Sequence, residues 1–314
     1  MEILLETLSR MAVLFSFILI GFLLAKLKVV DTSAAGVLAK LENNVFIPAL
    51  VLGTFMNNFT PADIGPAWRL FAVSAVLTVV MAFVSVFISR LASRDRYIQN
   101  IFTYGLAFSN FGFMGNAVVQ SMFPEIFDKY LIFTLPLWML IYLWGVPYLL
   151  MPSEGKMTVA GRLKSFVNPM FIAMVVGIVL GLCSVRVPDF ANDIVTDLGD
   201  CMSPVAMLLT GITLSQVNFK KILTQVNIYV VSFVRLVAIP ALALAALYFL
   251  PSLPYTYSVC IVCSLAMPLG LNTIVIPSAY GKDTSVAAGM AIISHALSCA
   301  TIPIVFYLMN LIIK

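Results

Sequence analysis

Charged residues are scarce in this chain of 314 residues: they make up 10% of it, as 14 acids and 18 bases. An ordinary soluble domain has about 25% charged residues, so this chain cannot cover a water-facing surface of its size. Hydrophobic residues make up 61% of the chain, and its mean hydropathy is +1.05. The composition therefore excludes a soluble globular protein and a disordered one, and it predicts a polytopic membrane protein.

Long polar stretches are also missing, so the function must lie among the apolar segments. A bilayer requires about 20 mostly apolar residues per helix, and ten such segments follow one another without the alternation of barrel strands. We therefore predict an all-α polytopic membrane protein with ten transmembrane helices. The segments are Thr7–Leu27, Ala34–Phe55, Trp68–Leu91, Ile98–Met122, Tyr130–Leu150, Phe166–Val185, Ile194–Leu214, Val226–Leu250, Tyr255–Tyr280 and Ser285–Ile313.

The few bases mark the orientation, because cytoplasmic loops are enriched in lysine and arginine. The loops after the odd-numbered segments contain Lys26, Lys28, Lys40, Arg90, Arg94, Arg96, Lys156, Arg162, Lys164, Lys220, Lys221 and Lys282. The opposite side contains Arg10, Arg69, Lys129, Arg186 and Lys314. The bias predicts a multi-pass protein of the cytoplasmic (inner) membrane with both termini on the non-cytoplasmic side. The net charge of +4 follows from this bias, and we expect no nucleic-acid partner.

An internal repeat becomes visible when the chain is compared with itself at an offset of 156. At this offset Gly21 meets Gly177, Pro48 meets Pro204, Asn116 meets Asn272, and Pro147 meets Pro303. Glycine, proline and asparagine are costly in membrane helices, so their coincidence carries weight. Each half has five segments, and an odd number inverts the second half, as in many secondary transporters. We predict a first repeat at 1–150, a cytoplasmic linker at 151–165 and a second, inverted repeat at 166–314.

Helix-breaking residues occupy matching places in the fourth and ninth segments. The fourth contains Asn110, Phe113, Gly115 and Asn116, and the ninth contains Pro268, Gly270 and Asn272. Glycine and proline interrupt the helical hydrogen bonds, so two broken helices are expected to cross near the midplane. Their half-helix N-termini would bind an anionic group such as a carboxylate. The alternative is that these residues only pack helices closely or kink them.

Uncharged polar residues at and beside the breaks are the candidate substrate contacts. Asn110, Asn116 and Asn272 can donate to a carboxylate or cap the broken helix ends. The second and seventh segments would close the site from the sides with a further set of residues. That set is Asn43, Asn44, Pro48, Ser203 and Pro204, whose alternative role is a loosened helix start.

Two ionisable residues lie deep within segments. Arg235 is the only base deep within a helix and either pairs with a substrate anion or bonds to helix-end carbonyls. His295, the only histidine, either relays a proton or bonds across helices.

Other chemistry has little support in the sequence. Glu42 is the only acid near a helix interior, which argues against a sodium/proton antiporter and leaves uniport or Na⁺ or H⁺ coupling open. Cys260 and Cys263 show CxxC spacing inside an apolar helix without a second pair, so we expect no metal site and no cofactor. An intramembrane enzyme would need paired aspartates or a serine and histidine pair, and a channel would need a continuous polar face.

Several short motifs, in order along the whole chain, resemble those of the auxin efflux carrier family. They are Phe46 to Leu50, Asn110 to Gly115, Pro268 with Asn272, Tyr280 to Asp283, and Ile302 with Pro303. The chain departs from the pattern at Ala117, where the family usually has proline. The resemblance implies a five-plus-five inverted repeat with crossing fourth and ninth helices, frequent homodimers and elevator-like alternating access.

The resemblance also implies small organic anions as substrates, namely auxin-like weak acids in plants and malate- or malonate-like acids in bacteria. We therefore expect a secondary transporter of a small mono- or dicarboxylate, with the anion at the crossing, and not an enzyme. A sodium- or proton-coupled symporter of a larger organic anion is the alternative within the same fold, and a channel is the alternative outside it.

Overall fold

The structure, a computed structural model, describes residues 2–150, 169–216, 225–279 and 285–313. The predicted linker at 151–165 and the motif from Tyr280 to Asp283 lie outside the described residues. The same holds for the loop bases Lys156, Arg162, Lys164, Lys220, Lys221, Lys282 and Lys314.

Helices account for all ten predicted segments, so the all-α fold is confirmed. The unbroken ones are α1 (Glu2–Lys26), α3 (Ile64–Ala92), α6 (Pro169–Leu182) and α10 (Ser285–Ile312). Three contain a wider π-helical stretch: α2 (Ala34–Asn58), α5 (Phe127–Leu140 continued by Ile141–Leu150) and α8 (Val226–Tyr248). Three are divided in two: α4a (Arg96–Ala107) and α4b (Asn116–Met122), α7a (Asp189–Asp200) and α7b (Met202–Ser215), and α9a (Tyr255–Ala266) and α9b (Asn272–Ala279).

Length and composition agree with a membrane location. Within the described residues, six segments are long and apolar enough to cross a membrane. They are Ala34–Asn58, Pro61–Ala92, Pro124–Leu150, Asp189–Ser215, Val226–Tyr248 and Val286–Ile312. Shorter apolar helices cover Ala12–Lys26, Pro169–Leu182 and Tyr255–Ala266. The chain is therefore a multi-pass membrane protein.

The predicted boundaries differ from the observed ones mainly where polar residues begin a helix. The seventh segment starts at Asp189, five residues before the predicted Ile194, because α7a is an amphipathic helix whose aspartates are exposed. Proline explains two of the π-helical turns, Glu42–Phe46 in α2 and Val234–Ala238 in α8. Pro48 and Pro240 follow these turns by two residues, and the wider turn relieves the clash between the proline ring and the preceding carbonyl.

The repeat offset of 156 is present in the packing of the helices. Helix α1 packs along α7b, and α2 packs along α6. A Cβ on Gly21 would overlap the carbonyl oxygen of Leu208, and a Cβ on Gly177 would lie 2.9 Å from the carbonyl oxygen of Leu52. Gly177 and Leu208 stand 156 positions after Gly21 and Leu52, so equivalent glycines bring equivalent helix pairs into backbone contact. We call α1, α2, α6 and α7 the glycine-packed group.

The remaining helices, α3, α4, α5, α8, α9 and α10, form what we call the crossing group. Within it α3 packs on α4a and α5, while α10 packs on α8 and α9a. The divided helices α4 and α9 meet at the centre of this group, where Ser109 and Leu269 form an isolated antiparallel β-bridge. The fold therefore positions two helix breaks, one from each half of the chain, against each other.

Candidate functional site

The backbones of the two breaks are paired with each other. The N–H of Asn110 donates to the carbonyl oxygen of Pro268 over 2.8 Å, next to the bridge between Ser109 and Leu269. Gly270 allows this close approach, because a Cβ there would lie 3.2 Å from the carbonyl oxygens of Phe108 and Ser109. A free backbone group in lipid costs several kcal/mol, so the crossing satisfies much of the polar backbone that the breaks release.

Arg235 fixes the carboxyl ends of the two half-helices that enter the crossing. Its side chain is 1% exposed and donates three hydrogen bonds to carbonyl oxygens. The acceptors are Leu106 at the end of α4a (2.9 Å), Ser264 in α9a (2.9 Å) and Met267 just after α9a (3.1 Å). Helix C-termini carry partial negative charge, so this is the helix-end alternative predicted for Arg235. Pairing of Arg235 with a substrate anion stays a prediction.

Two helical runs begin at the crossing. After the first break the chain re-enters helix through a π-helical turn at Phe111–Gly115 that continues into α4b. After the second break α9b begins at Asn272. Helix N-termini carry partial positive charge and unpaired N–H groups. The crossing therefore combines two helix starts with two helix ends, and Arg235 neutralises the ends.

A narrow cleft with a cavity volume of about 10 Å³ lies where the two runs begin. Residues from α4, α5 and α9 form its lining: Tyr104, Ser109, Asn110, Phe111, Gly112, Phe113, Trp138, Ile141, Gly270, Leu271 and Asn272. The polar groups of this lining are neutral hydroxyl, amide and indole groups, and the lining contains no acidic side chain. Four predicted site residues are brought together here, namely Asn110, Phe113, Gly270 and Asn272.

The two cleft asparagines are held by partners on neighbouring helices. Asn272 Nδ2 lies 3.2 Å from the Tyr104 hydroxyl oxygen, and Asn110 Nδ2 lies 3.1 Å from His295 Nε2. His295 is buried in α10, and its Nδ1 lies 2.7 Å from the carbonyl oxygen of Ala291. The bond across helices predicted as one alternative for His295 is therefore present, and a role in proton relay stays a prediction.

Three predicted site residues lie beside the cleft and do not line it. Asn116 is buried, and among the described residues its Oδ1 has no hydrogen-bond partner. Gly115 packs against Tyr130, whose hydroxyl a Cβ at that position would overlap. Pro268 contributes its carbonyl oxygen to the backbone pairing. These residues support the shape of the crossing in this conformation.

The five flanking residues of the second and seventh segments lie outside the cleft lining. Asn43 and Asn44 are exposed and donate back to the carbonyl oxygens of Ala39 (2.8 Å) and Lys40 (2.7 Å) in their own helix. Pro48 is buried in α2, while Ser203 and Pro204 are half-buried in the first turn of α7b. Helix α7b contacts the Phe111–Gly115 turn and α2 contacts α5, so these helices border the crossing group without their predicted residues reaching the cleft. Their part in substrate binding stays a prediction.

The sequence did not single out several residues that line the cleft. Tyr104 lies six residues before Asn110, in the preceding helix, and Trp138 comes from α5, which carries no break at its level. The ring centroids of Phe111 and Trp138 are 5.0 Å apart in an edge-on contact. A large aromatic residue in an apolar segment is usually a core or lipid-facing residue, so the sequence contains no signal that marks Tyr104 or Trp138 as a site residue.

A comparison with known protein families gives a match over both halves of the chain. The family model described as "Membrane transport protein" matches residues 7–161 and, a second time, residues 156–306. No curated protein matches the chain.

Proposed function

The chain belongs to the auxin efflux carrier family of membrane transport proteins, and from this premise we propose that it carries a small organic anion across the membrane. The anion is a mono- or dicarboxylate that binds in the crossover cleft between α4 and α9. One observation supports this most directly: the first residues of two helical runs, Phe111 to Phe113 and Asn272, line the same small cleft. Two converging positive helix ends favour an anion.

The lining of the cleft supports the class of substrate. The Tyr104 hydroxyl, which accepts from Asn272, and the second N–H of the Asn272 amide can donate to a carboxylate. No acidic side chain of the described lining would repel it. The cavity volume of about 10 Å³ has room for about one water molecule, so the cleft must widen to hold any carboxylate. A compact acid requires less widening than the larger organic anion of the alternative hypothesis.

The arrangement of the two helix groups supports alternating access of the elevator type. Backbone contacts at Gly21 and Gly177 make the glycine-packed group rigid, since close-packed backbones leave no room to slide. The crossing group contains the whole cleft lining and can move as one body against it. We include in the proposal a homodimer in the cytoplasmic membrane with both termini on the non-cytoplasmic side, as the loop bases predict.

Uptake into proteoliposomes tests the function. Purified protein is reconstituted and offered labelled mono- and dicarboxylates, with membrane potential, pH and sodium set independently. We expect saturable uptake of at least one small carboxylate above protein-free vesicles. Loss of uptake without sodium would indicate the sodium-coupled alternative. If no carboxylate in the panel is taken up, the proposal is wrong.

Asn272→Ala tests the position of the anion. Loss of a hydrogen bond to a charged ligand costs about 1.5–3 kcal/mol, so we expect KM to rise at least about tenfold. The matched control is Asn310→Ala in α10, where the asparagine side chain donates to the carbonyl oxygen of Phe306 in its own helix; its KM should stay within about twofold of the wild type. Asn116→Ala tests whether Asn116 contacts the anion or only supports the shape of the crossing. Direct contact should raise KM as much as Asn272→Ala does, and a supporting role should not.

Gly112→Ala tests the size of the site. A Cβ at Gly112 would lie 2.6 Å from Cζ2 of Trp138, so the indole, which lines the cleft, must move. We expect KM to rise more for four-carbon than for two-carbon acids, which competition by a series of unlabelled acids would measure. An equal change for all acids would contradict a steric role of Trp138.

A further inference from the structure

The buried pair formed by His295 and Asn110 has a defined hydrogen-bond polarity. His295 is 2% exposed and Asn110 is 3% exposed. The carbonyl oxygen of Ala291, 2.7 Å from Nδ1, can only accept, so Nδ1 carries the proton in the neutral ring. Nε2 then has a lone pair, and the Asn110 amide, 3.1 Å away, donates to it. The His295 tautomer and the orientation of the Asn110 amide are thus fixed together.

This polarity determines what Asn110 offers to the cleft that it lines. One N–H of the NH₂ group is used by His295, so the amide offers other partners its second N–H and its oxygen, and the oxygen repels a carboxylate. Protonation of His295 places a hydrogen on Nε2, which then cannot accept. The amide must rotate so that its oxygen accepts from Nε2 and its NH₂ group turns away from His295.

We propose that His295 is a proton-binding site of this carrier and that it switches Asn110 between a form that repels the anion and a form that binds it. The inference rests on the proposed function, which supplies the anion, and it deepens that function by naming the coupling ion. Proton and anion bind together, so a monocarboxylate is carried as an electroneutral pair with one proton. No covalent bond changes except the N–H bond formed at Nε2.

The side chains around His295 make its protonation depend on the presence of an anion in the cleft. Helix α10 packs against α1, α4a, α7b, α8, α9a and α9b. The titratable side chains that the structure describes on these helices and on α10 itself are Lys26, Arg96, Tyr97, Tyr104, Tyr229, Arg235, Tyr248, Tyr255, Tyr257, Cys260, Cys263, Cys299 and Tyr307. None of these is a carboxylic acid, and the two acids of α1, Glu2 and Glu6, are not among the side chains that the structure describes. A buried positive charge is costly without a partner, so an anion in the cleft is the partner that would stabilise the imidazolium.

The single histidine of the chain allows a direct measurement of its protonation. With ¹⁵N-labelled histidine, the imidazole nitrogen signals of the reconstituted protein report the tautomer and the charge. We expect the Nδ1–H tautomer at pH 8 without substrate. Adding saturating carboxylate at a fixed pH near 6.5 should raise the protonated fraction at least threefold. An Nε2–H tautomer, or a protonated fraction that the carboxylate does not change, would overturn the inference.

A variant that cannot bind a proton provides the transport test. In wild-type protein KM for a fully ionised carboxylate should fall as pH decreases, by up to tenfold per unit, because each anion binds with one proton. His295→Gln can still pair with Asn110 through its amide but cannot titrate, so uptake should persist with a KM that does not vary with pH. The control Ser298→Ala removes a hydroxyl that bonds only to the carbonyl oxygen of His295, and it should keep the wild-type pH dependence. Persisting pH dependence in His295→Gln contradicts the inference.

Two further measurements distinguish a failure of the inference from a failure of the proposed function. If His295→Gln does not fold, Asn110→Ala replaces it in the NMR measurement. Without the Asn110 amide, the carboxylate should raise the protonated fraction of His295 less than in wild-type protein, because only the direct attraction between the two charges remains. A response equal to that of the wild type would count against the switch. If wild-type protein takes up none of the carboxylates, the proposed function fails. The NMR titration with the same carboxylates then decides the proton site by binding alone, in either direction.

Discussion

Replacing Arg235 with methionine is expected to destabilise the crossing strongly. The guanidinium group donates to Leu106, Ser264 and Met267 at the ends of α4a and α9a. At about 1.5–3 kcal/mol for each bond from a charged donor, the three bonds contribute roughly 5–9 kcal/mol. Removing the arginine also removes about 3 kcal/mol of insertion cost, so the net loss is about 2–6 kcal/mol. This loss should lower the Tm by about 5–20 °C.

Thermal unfolding in detergent, followed by size-exclusion chromatography with fluorescence detection, measures this effect. The matched control is Arg69→Met, because Arg69 is an exposed arginine of α3; its Tm should stay close to that of the wild type. Arg235→Lys keeps the charge but replaces the planar fork by a single nitrogen, so its Tm should lie between the two. An Arg235→Met protein as stable as Arg69→Met would show that the three bonds do not support the crossing.

The same variants separate a structural role of Arg235 from anion binding. If Arg235 acts on the substrate, Arg235→Lys should raise KM strongly while the Tm changes little. Arg235 does not line the cleft, so we expect the opposite: a lower Tm with a KM within about threefold of the wild type in the protein that remains folded.

The sequence predicts the breaks at the crossing because glycine, proline and asparagine act on the local backbone. The interruption near Gly112 and that near Pro268 follow from chain chemistry within a few residues, and the repeat offset relates them. The family match and the helical structure confirm the fold class that these features predicted. Local signals of this kind are therefore reliable guides to where the helices end.

The partners at the site could not be predicted in the same way. Arg235 and Leu106 are separated by 129 positions, and Asn110 and His295 by 185. Whether a helix residue faces the crossing, lipid or another helix depends on the rotation of its helix, and the apolar surroundings leave little amphipathic pattern to indicate it. Sequence reasoning thus identifies Arg235 and His295 as unusual residues and leaves two possible roles for each. Only the three-dimensional contacts identify their partners.

Asn43 and Asn44 show that residue type alone does not predict the partner of a side chain. Two adjacent asparagines before Pro48 suggested a polar wall at the site, yet both side chains donate to carbonyl oxygens in their own helix. Such bonds within one helix are the alternative to substrate contact for these amides, and their part in substrate binding stays a prediction.

The second large effect is expected at the glycines that join helix pairs. In Gly21→Ala the new methyl group would overlap the carbonyl oxygen of Leu208, and in Gly211→Ala it would overlap that of Ile18 and lie 2.7 Å from the N atom of Phe22. These neighbours are backbone atoms that cannot rotate away, so α1 and α7b must separate. Overpacking of this kind costs about 1–3 kcal/mol and occasionally more, which exceeds the helix-propensity gain of up to about 1 kcal/mol.

Alanine substitutions at glycines with different degrees of overlap test which helix group is rigid. Gly21→Ala and Gly211→Ala should lower the Tm most, and Gly177→Ala less, because its methyl group would still lie 2.9 Å from the Leu52 carbonyl oxygen. The control Gly36→Ala meets nothing within 4 Å and should be neutral or slightly stabilising. If α1 and α7b instead slid past each other during transport, alanine at position 21 would slow uptake with little change in Tm. We expect the reverse, a lower Tm with unchanged KM, because α1 and α7b lie outside the cleft and do not move relative to each other during transport.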